Sequence, residues 1–402
     1  MASKGFVAEP SSILDTSERV RRAVTEASRG LVGRDVLAEL IALSAVAGEH
    51  LLVIGPPGTA KSEVVRRVAR SLGGNYFEYL LGRFTEPSEI FGPVDLRKLR
   101  EGVVVTETSG MLPEAEIAFL DEVFLGSTAI LNTLLAILNE RVFRRGHTKE
   151  EVPLRVCVGA SNALPEDEGL AAFADRFLAR VYVDAVADHD LETLLEGGWS
   201  LRSVREDPLA TIQDLDLLAK AARSVDLGPA RPEIASAVRA LRGAGIALSD
   251  RRAVKLQRLV AAAAVMDGRT EASLADLWPI IYAVPREEEQ VEARSILKKQ
   301  LEMAQNRALS AAAEDASLGM RARADRLVRA GDELLKSPPE GDRWAYWLKL
   351  EGVVREIDAC FMQGTRPEAV SAVRDRIVAE LGARPSPAVP SARRTDPPHA
   401  RS

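Results

Sequence analysis

Residues 51–62 read Leu-Leu-Val-Ile-Gly-Pro-Pro-Gly-Thr-Ala-Lys-Ser. The apolar run Leu51 to Ile54 has the length and continuity of a buried strand. Gly55, Pro56, Pro57 and Gly58 break it, and a helical pattern starts at Lys61. A glycine-rich turn between strand and helix aims successive backbone N–H groups at one spot, which the helix N-terminus makes positive. That spot suits phosphate. Lys61 can reach terminal phosphates as a point charge, and the Ser62 hydroxyl can ligate Mg²⁺. The pattern G-x-x-x-x-G-K-[ST] is met except at its second glycine, where Ala60 stands after Thr59. Alanine is tolerable there at negative φ, entering the helix rather than turning the loop.

A second strand signal, Ile117-Ala-Phe-Leu-Asp121, ends in the adjacent carboxylates Asp121 and Glu122. Ligands in open α/β sheets sit outside the carboxyl ends of strands, where the phosphate turn also lies. Neighbouring strand residues face opposite ways, so the two acids take different tasks. Asp121 would hold Mg²⁺ through water, and Glu122 would orient and polarise an attacking water. A third buried strand, residues 154–160, leads to Ser161 and Asn162, whose amide can hydrogen-bond a γ-phosphate or the lytic water. Residues 171–180 read as a helix with Arg176 and Arg180 on one face. Arginine suits spread charge on a phosphoryl group in its transition state. Beyond about residue 185 the pattern is helical: 214–224, 232–244, 250–266 and 273–284. Arg251 and Arg252 fall in the first turn of the third, where cations are unfavourable unless an anion is near.

A chain of 402 residues suggests two or three domains. No apolar run approaches the ~18 residues of a membrane span. Cys157 and Cys360 are far apart in sequence, and the four histidines form no cluster. A reducing, cytoplasmic setting is the simplest reading, without a histidine metal site. The net charge of −6 argues against a dedicated nucleic-acid binder. The basic stretch 141–149 reads as a hairpin turning at Gly146. Glu287 to Lys336 allows one or two long helices, 342–361 and 367–381 two more, and the proline-rich end, 384–402, reads as disordered.

The set Gly55-Pro-Pro-Gly-Thr-Ala-Lys-Ser62, Phe119-Leu-Asp-Glu122, Gly159-Ala-Ser-Asn162, Ala174-Asp-Arg-Phe177 and Ser249-Asp-Arg-Arg252 resembles the AAA+ ATPases, and among them the MoxR family. Residues 83–93 and 134–143 resemble its branch called regulatory ATPase variant A. The resemblance covers residues 31–285. It implies an α/β P-loop core with a five-stranded parallel sheet (31–185) and an all-α lid (186–285). The residue pattern itself places an N-terminal helix and disordered start before them (1–30) and a further helical region after them (286–383), which departs from the β-rich accessory domain that the branch can carry there. The resemblance implies ATP and Mg²⁺ as cofactors, ATP hydrolysis, and a homo-oligomeric, hexameric ring. Inserts at about 93–113 and 141–153 would project from the core. Carried over by position, Lys61 and Ser62 are the Walker A pair, and Asp121 and Glu122 are Walker B. Asn162 is sensor 1, and Arg176 is a finger offered to the neighbouring subunit. Arg251 is sensor 2 with Arg252 as understudy, and Gly33 and Arg34 border the adenine. A partner with a von Willebrand factor A domain and a chaperone-like role on a protein client are implied too. The alternatives are a nucleotide-gated scaffold and a nucleic-acid motor.

Overall fold

The computed structural model describes residues 10–187, 190–200, 208–336, 338, 343–361 and 366–382. The disordered start expected over residues 1–12 lies outside them only as far as residue 9, a helix beginning at Pro10, and the disordered end expected at 384–402 lies outside them. Helices α1 (Pro10–Ser28) and α2 (Asp35–Ala47) lead to β1 (Leu51–Ile54) and, past the turn, α3 (Lys61–Ser71). Next come β2 (Tyr76–Leu80), α4 (Pro87–Phe91), α5 (Leu96–Arg100), β3 (Ile117–Asp121) and α6 (Thr128–Glu140). The hairpin β4 (Val142–Arg145) and β5 (Thr148–Glu151) is followed by β6 (Val156–Ser161), α7 (Glu168–Ala174) and β7 (Ala179–Tyr182). The remainder is helical: α8 (Leu191–Ser200), α9 (Ile212–Arg223), α10 (Arg231–Gly243), α11 (Asp250–Met266), α12 (Glu287–Ile296), α13 (Lys298–Leu301), α14 (Ser310–Lys336), α15 (Arg343–Cys360) and α16 (Glu368–Gly382).

Five strands form one parallel sheet in the order β2-β3-β6-β1-β7. Alternate side chains feed two apolar cores, one on each face. Leu51 and Val53, Ile117 and Phe119, and Val156 and Val158 join the core shared with α1, α2 and α3. Leu52, Ile54, Ala118, Leu120 and Cys157 join the core under α6 and α7. Burial on both faces explains why these strands read as unbroken apolar runs. Helix α2 buries ten residues, from Leu37 to Val46, because it is flanked by the sheet and by α9 and α11. A helix that is apolar all round needs such a place. Through it, α9 to α13 and the start of α14 share one core with the α/β part.

Several elements depart from the sequence reading. Residues 273–284 form two tight 3₁₀ turns, Leu274–Asp276 and Trp278–Ala283, with Pro279 opening the second. Residues 171–180 are not one helix: α7 stops at Ala174, and Ala179–Tyr182 pairs with β1 instead. Arg176 and Arg180 therefore share no helix face. Arg180 lies buried in β7 and donates to the Pro285 carbonyl at 2.9 Å. The two inserts pack on one another. Val94 bridges Thr106, the Thr106 N–H donates to Thr148 Oγ1 at 2.8 Å, and Arg145 Nη1 donates to the Gly92 carbonyl at 2.9 Å.

The chain divides into two compact units that meet in sequence at Arg323 and Ala324. The second has its own small core, including Leu327, Leu350, Val353, Val373 and Ile377. In the first, Glu39 of α2 accepts the Ala311 and Ala312 N–H groups at 3.3 and 2.7 Å, capping the start of α14. Burial outweighs those bonds and pushes the Glu39 carboxyl up to about 7. A raised carboxylate pKa means that folding favours the protonated form. Its contribution to stability is full at low pH and declines as pH rises through the interval from 4.5 to about 7.

This packing can be tested at two positions of α2. Leu40→Ala, at a fully buried position, should cost about 2–5 kcal/mol in chemical denaturation, and a loss under about 1 kcal/mol would contradict its burial. Glu39→Gln should flatten the fall in melting temperature between about pH 5 and 7.5; a slope equal to wild type would contradict the titration of Glu39.

Candidate nucleotide-binding site

The parallel order puts β6 between β1 and β3, so the three strand ends that carry the candidate residues lie side by side. Ile54 is in register with Ser161, and Leu120 with Gly159. The Gly55 N–H donates to the Ser161 carbonyl at 3.1 Å, extending the ladder into the turn. Gly55 also lies so close to β7 that an added Cβ would sit 2.0 Å from the Val183 carbonyl oxygen. Only glycine fits there.

The turn's carbonyls face inward. Lys61 Nζ donates to the Gly55 and Pro56 carbonyls at 2.7 and 2.9 Å, and Thr59 Oγ1 donates to Pro56 as well. Arg34 Nε donates to the Thr59 carbonyl at 2.8 Å, and the Val64 N–H donates to that of Ala60. Among the described residues, the backbone N–H groups of residues 58–62 meet no acceptor. A run of unpaired N–H groups at the start of an eleven-residue helix is a donor set fitted to anionic oxygens. The residues present therefore fit a triphosphate.

Ala60 corrects one expectation. Its φ is +61°, in the left-handed region, not the negative φ at which alanine is comfortable. That conformation costs an L-residue roughly 1–2 kcal/mol. The chain turns at Ala60 itself, immediately before α3 begins.

Opposite the loop, Asp121 ends β3 and accepts the Glu122 N–H at 3.0 Å. Glu122 is left-handed too, with φ +49°. This turn lifts its side chain off the strand, and its Oε1 accepts from Asn162 Nδ2 at 2.7 Å. Lys61 is buried, which depresses its ammonium pKa, while the charges of Asp121 and Glu122 pull the other way. Lys61, Asp121, Glu122 and Asn162 thus gather on one rim, with Ser62 in the first turn of α3. Ser62 and Asp121 are the oxygen donors suited to a Mg²⁺ ion, which binds few protein ligands and keeps several waters.

The other arginines are elsewhere. Arg176 follows α7 and precedes β7, whose first residue pairs with Leu51, so it lies toward the end of the sheet remote from the loop. It is half-buried, and its Nε meets no acceptor among the described residues. Arg251 hydrogen-bonds Asn139 in a cleft of about 760 Å³ that also takes in Gly48 and Glu49, ahead of β1. Arg252 is buried, paired with Asp175 at 2.9 Å and donating to the Phe177, Leu178 and Ala283 carbonyls. Neither reaches the phosphate loop of its own chain, contrary to a sensor 2 acting within one chain. The reason lies in how α11 is held. Lys255 and Arg258 pair with the buried Glu49, which fixes the helix at the opposite end of β1.

Arg34 lies against the phosphate loop. Its guanidinium is taken up by three backbone carbonyls, Gly33, Thr59 and Asp184. Gly33 supplies the turn before it at φ +67°. His50 is a further buried polar group that sequence reasoning passes over. Its Nδ1 accepts the Cys157 N–H and its Nε2 donates to the Leu138 carbonyl, both at 3.0 Å, which fixes a neutral ring. Arg141 Nη1 lies against the same Nε2. Burial and that neighbouring cation hold the His50 pKa well below the usual range. A single histidine ahead of a strand gives no signal of this in sequence.

A P-loop beside an acidic strand end, on a five-stranded parallel sheet followed by helices, defines an AAA+ ATPase. A family model described as the MoxR domain in MoxR-vWA-beta-propeller ternary systems matches residues 18–220, and an AAA lid domain model matches 233–297. The chain belongs to the MoxR family. It is 39% identical over 240 residues to the uncharacterised protein MJ0812 of Methanocaldococcus jannaschii, covering 59% of this chain and 64% of that one. It is 29% identical to chaperone MoxR1 of Mycobacterium tuberculosis over 168 residues, 41% of this chain and 44% of that one. The chain thus spans less than two thirds of each of these relatives. A solved structure of a candidate ATPase from Cytophaga hutchinsonii shares the fold, with a TM-score of 0.59, 17% identity, and coverage of 74% of this chain and 97% of that one. Among the described residues, no helix is long and apolar enough to cross a membrane.

The neutral His50 yields a pH prediction. Its depressed pKa means that stability is present above the ordinary histidine value and is lost as pH falls through it, by up to about 1.4 kcal/mol per unit below about 6.5. His50→Asn should lose less further stability between about pH 7 and 5 than wild type does; equal losses in denaturant titrations would contradict the burial of a neutral ring.

Proposed function

We propose that this protein is a Mg²⁺-dependent ATPase, working as a MoxR-type ring whose turnover remodels a protein complex. The observation that carries the reading is the Asn162–Glu122 hydrogen bond, 2.7 Å long, on the same rim as Lys61 and Asp121. In this reading the N–H groups of residues 58–62 and Lys61 bind the triphosphate of ATP. Ser62 would hold Mg²⁺ directly and Asp121 would hold it through water, and the ion would supply charge neutralisation for the phosphate oxygens. Glu122 orients the attacking water and takes its proton, so that the new P–O bond forms as the bond to the departing ADP oxygen breaks. Asn162 keeps Glu122 and that water aligned without adding charge.

Arg176 has no task at its own chain's loop. Its remote position and unsatisfied Nε support a role at a neighbouring copy's phosphates, which requires a homo-oligomer, read here as a hexamer. A von Willebrand factor A domain protein is the proposed partner, since the matching family is described by such systems. A chaperone-like action on a protein client accords with the name of the mycobacterial relative. Placement in the regulatory ATPase variant A branch rests on residues 83–93 and 134–143. A cytoplasmic setting accords with the buried, free Cys157, whose thiol burial pushes up to about 12.

Glu122→Gln should bind ATP like wild type and hydrolyse it at least ~100-fold more slowly, as loss of a general base implies. Lys61→Ala should not bind nucleotide. Arg176→Ala should lose about 10³–10⁵ in turnover, as arginine-finger losses do. Mixing Arg176→Ala with Glu122→Gln subunits should restore measurable phosphate release, and mixtures as inactive as either parent would contradict a finger acting between subunits.

A further inference from the structure

The buried guanidinium of Arg34 makes three hydrogen bonds, all to backbone carbonyls. It donates from Nε to Thr59 at 2.8 Å, from Nη2 to Asp184 at 2.7 Å and from Nη1 to Gly33 at 3.2 Å. Arg34 is 7% exposed, and no carboxylate pairs with it among the described residues. Burial lowers its pKa, and the charge of Asp184 offsets that only in part. Burying an arginine without a paired acid is costly, and here the chain accepts that cost directly behind the phosphate loop. The carbonyl it grips belongs to the peptide joining Thr59 to Ala60, and Ala60 is the residue held at φ +61°. Left to itself, an alanine would relax toward negative φ. That relaxation would rotate the 59–60 peptide and swing the Ala60 N–H away from its neighbours in the run of residues 58–62.

We propose that Arg34 is a positioning residue for the triphosphate: it clamps the Thr59–Ala60 peptide so that Ala60 stays left-handed and the loop's N–H groups stay convergent. The second arm of the clamp, on the Asp184 carbonyl, ties the loop to the segment that follows β7 and leads into the helical region. The third, on Gly33, closes the turn at the start of α2. One guanidinium thus joins three chain segments around the loop. A planar fork with separate donors can span three acceptors in this way, and a lysine ammonium on a flexible stem cannot reproduce it. Arg34 also takes over a task that glycine performs in the ordinary pattern. With glycine at position 60 the left-handed turn needs no restraint; with alanine it does.

The inference rests on the reading that this loop binds ATP, and the test separates the two. Full-length wild type, Arg34→Gln, Arg34→Lys, Ala60→Gly and the double variant Arg34→Gln/Ala60→Gly are titrated with a fluorescent ATP analogue and Mg²⁺, and each is melted without nucleotide. Arg34→Gln and Arg34→Lys should bind the analogue about 5- to 30-fold more weakly, the range set by the strain of a left-handed alanine. Ala60→Gly alone serves as the reference against which the double variant is compared. In the double variant affinity should recover by most of the loss, while the melting temperature stays at the Arg34→Gln value, because glycine restores the loop but not the three hydrogen bonds. A purely structural arginine would give the opposite pattern: unchanged affinity in the folded Arg34→Lys protein, or the same loss whether alanine or glycine occupies position 60. Either result overturns the inference. Wild type that binds no analogue, or binds it equally after Lys61→Ala, overturns the ATP reading beneath it and is told apart by that control.

Discussion

A parallel strand buried on both faces can present chemistry only at its ends. In β1, β3 and β6 every side chain from Leu51 to Ile54, Ile117 to Leu120 and Val156 to Ala160 that bears on either core is apolar. Polar groups therefore collect where the strands stop, and strand order decides which of them meet. Because β6 runs between β1 and β3, Asn162 stands between the loop that carries Lys61 and the turn that carries Glu122. Two residues in the left-handed region, Ala60 and Glu122, mark where the backbone is bent to achieve this. Strain of this kind persists only where surrounding contacts hold it. Arg34 holds one of these residues and Asn162 engages the side chain of the other.

The opposite end of the sheet is organised around charge. Glu49, buried ahead of β1, pairs with Lys255 and Arg258 of α11, and Arg155 makes a two-pronged contact with Asp216 of α9. Arg141, left-handed at the end of α6, donates to the Leu138 and Gly48 carbonyls, so one cation serves the C-termini of two helices. This accords with the negative end of each helix dipole. These contacts seat α9 and α11 against the strand entries. They explain why Arg251 and Arg252, although they open α11, work on packing within the chain and not on its own phosphate loop.

The loop, the acidic strand end and the terminal amide were legible in sequence because each is written in neighbouring residues. A short apolar run, two glycines with prolines, and Lys61-Ser62 leave little freedom; so does Ile117 to Asp121. The count of five strands follows from resemblance and not from periodicity. What sequence could not convey is conformation that depends on distant contacts. Ala60 reads as a helix entrance, and the left-handed turn there goes with the grip of Arg34 on the carbonyl of Thr59, 25 positions later in the chain. Residues 171–180 carry a helical pattern, but pairing of Ala179–Tyr182 with β1 cuts it short, since an edge of a buried sheet gains more by adding a strand. The seat of α11 depends on Glu49, whose partners lie about two hundred residues away.

The nucleotide assignment is tested most directly by a crystal structure with Mg²⁺ and a non-hydrolysable ATP analogue. Phosphate oxygens should lie on the N–H groups of residues 58–62, with Lys61 turned from the Gly55 and Pro56 carbonyls toward them and the metal beside Ser62 and Asp121. An analogue seated instead in the cleft between Glu49 and Arg251, with the loop unchanged, would contradict it.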